Sequence, residues 1–360
     1  MDDDELLRMY TVLVKANTPS DIFGSPLNPD TVLERYKSIV RITHPDHYNG
    51  NKKLLYVAEE ATKILNQFYQ EAKNTLSGNT STSPITNSTN SSTVYDTHFV
   101  VGQYEYNISN TFINDNFCRV YFGERKSSYG VTNICLKISK DIDDNHLLKN
   151  ESRILELINH KSIPTFIDNF LSNDGNEINV IKKVDDSYDL VKIKQMFPQG
   201  VPQEHVVWMM DRLLSVIGYL HTNDIIHGGI EPSNILITPS NHNAILIDYV
   251  FAIDEASKFD MKYYGVNDFS APEIDGDAVP HPATDMYSFG KTMEYILVDD
   301  GGNFPVTVDK RIQKFLSGFL QKNPVNRLND AWESWHKLKL LREEIFGSKN
   351  QFIPFNVKKI

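Results

Sequence analysis

A polar tract divides this sequence, and it is the feature that most constrains the fold. From Thr75 to Thr93, 15 of 19 residues are Ser, Thr or Asn, and none is aromatic. Such a segment buries too little apolar surface to offset the entropy lost on ordering it. We therefore predict a flexible linker over 75–97, with a helical module at 1–74 before it. As a flexible coil, the polar tract would span about 25 Å r.m.s..

Composition and charge exclude several functional classes. The chain is 40% hydrophobic, enough for a sizeable core, and its net charge of −11 argues against an extended nucleic-acid interface. Two cysteines, Cys118 and Cys135, cannot form a disulfide framework, which favours a reducing compartment. There is neither a basic leader with an apolar core nor a run of 18 apolar residues. These features predict a cytoplasmic protein without a membrane partner.

The first 74 residues show the pattern of a small all-α module. We predict a first helix from Glu5 to Lys15 and a second that begins at Asp30 or Thr31. A third is predicted over 54–73, with inward-facing Ala58, Ala61, Leu65 and Phe68. The second helix combines an apolar stripe with a basic surface, and the turn after it reads His-Pro-Asp. The residues of that surface and turn are Arg35, Lys37, Arg41, His44, Pro45 and Asp46.

This arrangement resembles the J-domain of DnaJ-type co-chaperones over about residues 5–73. The resemblance implies that the turn and the basic helix dock on a DnaK-type ATPase chaperone and stimulate its ATP hydrolysis. Pro45 would fix a backbone angle of the turn, and Asp46 could form a charge-assisted bond with an arginine of the partner. Family members carry a basic residue directly after the aspartate, whereas here His47 and Tyr48 follow. In the alternative interpretation, the turn only joins two packed helices.

The region 98–350 changes character once along its length. Strand-like runs and one helix extend to about Val184, and long helices with buried spacing follow. We therefore predict two lobes of an α+β fold, at 98–184 and 185–346, before a tail at 347–360. The complete chain is predicted to be a multidomain protein, a helical hairpin followed by this two-lobed unit.

Ordered motifs in the two-lobed region resemble those of protein kinases, and each has a separate task in phosphoryl transfer. Ile134-Cys135-Leu136-Lys137 stands where kinases have V-A-I-K, and the resemblance implies that Lys137 holds the nucleotide phosphates. Glu151 matches the helix glutamate that pairs with this lysine, so both residues are predicted to belong to the nucleotide-binding site. Asn234 and Asp248 match the two metal-binding residues. Further matches are Ala271-Pro272-Glu273 with A-P-E, the helix start at Asp285, and the late arginine Arg327.

Other positions depart from the kinase pattern. The catalytic loop reads His227-Gly228-Gly229-Ile230-Glu231-Pro232-Ser233-Asn234. Gly229 stands where the catalytic aspartate should be, and Glu231 replaces the lysine that meets the γ-phosphate. General-base help is typically worth about 10²–10⁴-fold in rate. The three glycines of the nucleotide-covering loop fall on Ile113, Asp115 and Cys118, whose side chains oppose a phosphate cradle.

From these departures we predict a pseudokinase that has no catalytic residues and is not an enzyme. This pseudokinase is predicted to bind ATP and Mg²⁺ at reduced affinity or not at all. The predicted function is that of a co-chaperone adaptor, whose partners are a DnaK-type heat-shock chaperone and a client protein. Two alternatives remain open. The first is an atypical kinase or nucleotidyl transferase that uses Lys137, Asn234 and Asp248. The second is a non-enzymatic scaffold with a degenerate J-domain.

Overall fold

The computed structural model contains two compact units, 1–89 and 90–360, which are described separately. The residues that the structure describes are 3–16, 18–43, 48, 54, 57–58, 61–62, 64–65, 68–69, 72, 97–115, 117–258, 268–274, 279–347 and 353–357. The polar tract at 75–93 lies outside these residues. Among the described residues, no helix has both the length and the apolar character needed to cross a membrane.

The described secondary structure of the N-terminal unit is helical, with a non-helical connection at 24–28. Its helices are α1 (Asp3–Lys15), α2 (Pro19–Phe23) and α3 (Pro29–Thr43), and the described residues between 54 and 72 are also helical. Thr18 caps α2, and Gly24 ends it at a φ of 90°. The apolar core includes the positions predicted to face inward: Val32, Ile39, Ala58, Ala61, Leu65 and Phe68.

A six-stranded antiparallel sheet forms the first lobe of the larger unit, in the order β1-β2-β3-β4-β6-β5. The strands are β1 (Thr97–Val101), β2 (Tyr104–Asn114), β3 (Cys118–Ser127), β4 (Gly130–Ser139), β5 (Phe166–Leu171) and β6 (Glu177–Lys182). Helix α4 (Asn145–Leu157) packs against β4, β5 and β6. Gly123 allows β2 and β3 to approach closely, because an added Cβ would lie 2.2 Å from the carbonyl oxygen of Asn107.

The second lobe is mainly helical, as the change of sequence pattern predicts. Its helices are α5 (Leu190–Met196), α6 (Gln203–Thr222), α7 (Pro282–Leu297), α8 (Lys310–Ser317) and α9 (Ala331–Phe346). Helix α6 lies at the centre of the core and is apolar on most faces, which is typical of a fully buried helix. The C-terminal segment packs on this lobe through Phe355, which stacks on Phe197 at 5.6 Å.

A small sheet at the junction of the lobes places the residues of the candidate site. It has the order β7-β8-β9, formed by β7 (Tyr188–Asp189), β8 (Ile235–Thr238) and β9 (Asn243–Leu246). The loop His227–Asn234 enters β8, and Asp248 follows the end of β9. The Ile247 N–H donates to the Asn234 carbonyl at 2.9 Å, so the two predicted metal ligands lie on adjacent backbone segments.

Candidate active site

A buried lysine joins two carboxylates at the centre of the site. Lys137 Nζ lies 2.7 Å from Glu151 Oε1 and 2.5 Å from Asp248 Oδ1. Strand β4, helix α4 and the segment after β9 each contribute one of the three groups. The sequence spacing of 14 residues between Lys137 and Glu151 is therefore sufficient for the ion pair. The fold assembles three side chains that the sequence motifs singled out separately.

The charges of this triad compensate one another. Burial by itself lowers the pKa of Lys137, but the carboxylates of Asp248 and Glu151 outweigh that effect and raise it well above the ordinary value. Lys137 is therefore a permanent cation. The Glu151 side chain is 1% exposed, whereas that of Asp248 is 20% exposed. Asp248 is therefore the most accessible member of the triad.

Asn179 on β6 holds Glu151 in place, a role that the sequence analysis missed. Its side-chain amide donates to Glu151 Oε2 at 2.9 Å and to the Leu148 carbonyl at 2.9 Å. The backbone N–H of Tyr249 also donates to Glu151, at 3.2 Å. Every oxygen of this buried carboxylate therefore has a partner, as a buried charge requires. The alternating strand pattern around Asn179 gave no signal for this role, because a single asparagine in a buried strand has many uses.

Helix α4 is also fastened to the segment that follows Asp248. Asn150 donates from its side chain to the carbonyls of Val250 and Ala252, at 3.0 and 2.8 Å. Arg153 pairs with Asp254 through both of its terminal nitrogens. Hydrogen bonding with Arg153 lowers the pKa of Asp254, so this carboxylate is a poor candidate for a proton acceptor. The helix is thus held inward by contacts on both sides of Glu151.

Asp248 and Asn234 have the chemistry of a magnesium site. Mg²⁺ is usually held by one or two carboxylates together with substrate phosphates, so two oxygen-bearing side chains on adjacent backbone segments fit this ion. Asp248 has a φ of 68°, a left-handed backbone conformation that aspartate tolerates better than most residues. Asn234 donates from its side chain to the Gly229 carbonyl at 2.9 Å, which leaves its side-chain oxygen for another partner. In the described residues, no group of three or more His, Cys, Asp or Glu could hold a metal by itself.

Asp285, the first acidic residue of α7, fixes the backbone of the catalytic loop. Its carboxylate accepts from the N–H groups of His227 and Gly228, each at 2.9 Å, and from His221 Nε2 at 3.0 Å. Burial by itself raises the pKa of Asp285, but the His221 hydrogen bond and the backbone donors outweigh it, and the net shift is downward. The loop is therefore held in a defined conformation although it lacks the family's arginine and aspartate.

Gly229 leaves room for a side chain at the predicted base position. An added Cβ would lie 3.7 Å from Asn234 Nδ2 and 3.8 Å from two ring atoms of His227, which are ordinary contacts. Glu231, two residues later, accepts a hydrogen bond from the Ser233 hydroxyl. Burial raises the pKa of Glu231, as do the negative charges of Asp248 and two other aspartates, whereas the Ser233 bond lowers it. The loop therefore contains one carboxylate, displaced by two residues from the family position.

The turn between β2 and β3 replaces the glycine-rich loop with a packed structure. Phe117 meets Phe251 edge-to-face at 5.5 Å, and Cys118 is buried with Leu148 and Val250. Burial raises the pKa of the Cys118 thiol far above its ordinary value, so it stays protonated. Side chains of this region contact the segment after Asp248 and hold the turn in place. The kinase pattern has glycines at the corresponding positions of the turn.

Arg327 forms an ion pair with the glutamate of the Ala271-Pro272-Glu273 motif. Its guanidinium lies 2.6 Å from Glu273 Oε1 and also donates to the Ala283 carbonyl at 2.7 Å. The pair links the A-P-E segment to α7 and is distant from the triad in sequence. Its role is structural.

The predicted chaperone-docking residues fall largely outside the described part of the chain. His44, Pro45 and Asp46 lie outside the described residues, as does the side chain of Arg41. Arg35 and Lys37 are exposed on α3, and Arg35 donates to the Ile22 carbonyl at 3.2 Å.

Comparison with known families identifies the larger unit. The protein kinase domain model matches residues 116–338, which is more than half of the chain. The triad, the catalytic loop and the Arg327–Glu273 pair all lie within that range. The chain belongs to the protein kinase family, whose members bind ATP and Mg²⁺.

Individual kinases are similar to the chain over much of its length. Serine/threonine-protein kinase TIO of Arabidopsis thaliana is 26% identical over 70% of this chain and 20% of that protein. PAS domain-containing serine/threonine-protein kinase of Mus musculus is 27% identical over 51% of this chain and 14% of that protein. Serine/threonine-protein kinase D of Synechocystis sp. is 28% identical over 42% of this chain and 30% of that protein. The match therefore covers less than a third of the length of each of these relatives.

These findings correct two predictions from the sequence. The co-chaperone function is wrong, because the family match and the relatives are those of protein kinases. The prediction that the chain is not an enzyme, made from Gly229 and Glu231, is wrong for the same reason. The match begins at residue 116 and does not include α1–α3. The J-domain resemblance and the chaperone and client partners stay predictions.

Proposed function

We propose that the chain is an atypical serine/threonine protein kinase that transfers the γ-phosphoryl group of Mg-ATP to a hydroxyl side chain of a protein. The observation that carries the proposal is the assembled triad, in which Lys137 contacts Glu151 and Asp248 at 2.7 and 2.5 Å. Activity in this family requires both the lysine–glutamate pair and the metal-binding aspartate in place. The serine/threonine preference rests on the names of the similar kinases.

Each side chain of the candidate site has a definite task in this proposal. Lys137 binds the nucleotide phosphates, and Glu151 with Asn179 keeps its ammonium group in position. Asp248 and Asn234 would hold Mg²⁺, which when bound neutralises charge on the phosphates. Asp285 keeps the catalytic loop in its conformation through two backbone N–H groups. Because Gly229 supplies no base, we expect a turnover number well below the 1–100 s⁻¹ of typical kinases.

Two radiolabels test the proposal with purified full-length protein and a mixture of generic acceptor proteins. Incorporation from ATP labelled at the γ-phosphate, absent in Asp248→Asn and in Lys137→Met, supports a kinase. Incorporation from ATP labelled at the α-phosphate instead would identify a nucleotidyl transferase and refute the proposal. Lys192→Met on the exposed face of α5 is the matched control and should retain the wild-type rate. No incorporation of either label by the wild-type protein would also refute it.

Mg-ATP binding is measured separately by thermal unfolding. A ligand at 100 times its dissociation constant should raise the free energy of unfolding by about 2.7 kcal/mol if only the folded form binds it. The wild-type protein should be stabilised by Mg-ATP, and the Asp248→Asn variant should be stabilised much less. Equal stabilisation of both proteins would contradict the assignment of Asp248.

A further inference from the structure

The C-terminal segment 353–357 is held on the second lobe by aromatic and histidine side chains. Phe355 is 5% exposed, and its ring lies 4.5 Å from the ring of His205 on α6. His242, in the turn between β8 and β9, donates from Nε2 to the Ile353 carbonyl at 2.8 Å. The attachment of the segment therefore depends on the burial of one phenyl ring and on a histidine hydrogen bond.

His205 is placed so that its imidazole is neutral while Phe355 covers it. The residue is 8% exposed and is the third residue of α6, near the positive end of the helix dipole. Its Nδ1 accepts a hydrogen bond from Trp208 Nε1 at 3.4 Å, because an indole nitrogen can only donate. A proton on Nδ1 would break this bond and bury a charge between apolar rings.

Removal of the phenyl ring of Phe355 would change the surroundings of His205. An imidazole open to water binds a proton with a pKa of about 6.5. Acid therefore favours the uncovered state, because the covered state binds the proton less readily. We propose that the C-terminal segment is a pH-sensitive strap, which covers this part of the second lobe at neutral pH and detaches in mild acid when His205 binds a proton.

The groups that face His205 determine the sign of the pH dependence. Burial lowers the pKa of His205, the carboxylate of Glu204 raises it, and the ring of His242, 6.5 Å away, lowers it, with a net shift downward. Phe355, from the strap itself, carries no charge. Because the pKa is lowered in the covered state, the attachment is strongest above about pH 6.5 and is lost as the pH falls through the covered-state value.

Hydrogen exchange of the backbone N–H groups in 353–357 tests the proposal on the full-length protein without nucleotide. After correction for the chemical exchange rate, the opening constant should rise as the pH falls from about 7.5 to about 5.5. The rise should reach about tenfold per pH unit for one proton. His205→Asn keeps an acceptor for Trp208, and His205→Phe keeps a ring against Phe355, but neither side chain titrates in this range. Both variants should therefore show an opening constant that does not change with pH.

Two further measurements separate a proton switch from a packing role. His98→Asn, at an exposed position of β1 in the first lobe, is the matched control and should retain the full pH dependence. Phe355→Ala should raise the pKa of His205, measured by nuclear magnetic resonance, from its lowered value toward about 6.5. A histidine that only packs against its neighbours would not be uncovered by this substitution.

Several results would overturn the proposal. One is an opening constant of the wild-type protein that does not rise in acid, and another is an equal rise in both His205 variants. Loss of the pH dependence in His242→Asn, but not in the His205 variants, would identify His242 as the switch instead. An unchanged pKa of His205 in Phe355→Ala, or an equal rise of exchange throughout the second lobe, would also refute the strap. Since no nucleotide or acceptor is present, these outcomes do not depend on the proposed phosphoryl transfer.

Discussion

Restoring an aspartate at position 229 should increase the rate of the proposed phosphoryl transfer. Gly229 is the position of the missing base, and its backbone φ lies outside the left-handed range in which only glycine is at ease. An added Cβ meets Asn234 and His227 only at ordinary van der Waals distances of 3.7 and 3.8 Å. The substitution therefore adds its Cβ without backbone strain or a steric clash.

The expected gain follows from the worth of a general base. A well-placed base contributes about 10²–10⁴-fold. Gly229→Asp should therefore raise the turnover number at least about tenfold, which is below the low end of that range. Each factor of ten corresponds to about 1.4 kcal/mol of activation free energy. The added charge lies near Glu231 and Asp248, so Mg-ATP should bind more weakly, and the comparison must be made at saturating nucleotide.

The assay is γ-phosphoryl transfer to an acceptor protein at saturating Mg-ATP, with Gly229→Ala as the matched control. Alanine adds the Cβ without the carboxylate and should leave the turnover number unchanged. The reasoning is refuted if Gly229→Asp folds with the wild-type melting temperature, binds Mg-ATP, and turns over within twofold of the wild-type rate. An equal gain in Gly229→Ala would show that loop stiffness, and not proton transfer, limits the reaction.

Three further predictions concern stability. Lys137→Met leaves its two carboxylate partners without a cation, and we expect it to lower the free energy of unfolding in denaturant by about 3–5 kcal/mol; a loss below 1 kcal/mol would contradict the buried triad. Asp285→Asn should cost about 1–3 kcal/mol at neutral pH. Because the pKa of Asp285 is lowered in the folded state, its contribution is present above its unfolded pKa of about 3.9 and is lost as the pH falls through the folded value. The difference in melting temperature between Asp285→Asn and the wild-type protein should therefore shrink below about pH 4, and a constant difference would refute this. Gly123→Ala places a Cβ 2.2 Å from the Asn107 carbonyl and should destabilise the sheet by about 1–3 kcal/mol in thermal unfolding, whereas Gly229→Ala, whose Cβ meets only ordinary contacts, serves as the unclashed comparison.

Much of the two-lobed architecture follows from local sequence patterns. The change from strand-like to helical periodicity near Val184 separates the sheet from the helical lobe, and the long helices α6 and α7 lie in that second lobe. The meeting of Lys137 with Glu151 and Asp248 follows from motif order alone, because each motif marks a fixed place in a kinase fold. These features are predictable because a motif or pattern in a short, continuous segment of the sequence indicates each one.

The supporting contacts were not predictable in the same way. Asn179 reaches Glu151 from a different strand, and Arg153 reaches Asp254 across about a hundred residues of sequence. No periodicity or spacing in the sequence indicates that this asparagine or this arginine contacts a distant carboxylate. Only the register of the sheet and the path of the segment after Asp248 bring these groups together.

The functional prediction failed because it gave one loop too much weight. Gly229 removes a proton acceptor, and the prediction of an inactive protein treated this loss as the end of catalysis. A missing base slows proton transfer but leaves nucleotide binding, metal binding and positioning intact, and these supply much of the catalysis in phosphoryl transfer. The co-chaperone prediction was then based on the tripeptide His44-Pro45-Asp46 in the N-terminal module, although the kinase motifs cover far more of the chain.

The fastening of α4 has a consequence for small-molecule inhibitors. Compounds that bind only after this helix swings outward would need to separate Lys137 from Glu151, release Asn150 from two carbonyls, and open the Arg153–Asp254 pair. Their apparent affinity would fall by the small fraction of molecules in the opened form. Compounds that accept the closed arrangement face no such penalty, so an inhibitor screen against this protein should be enriched in molecules that fit the intact ion pair.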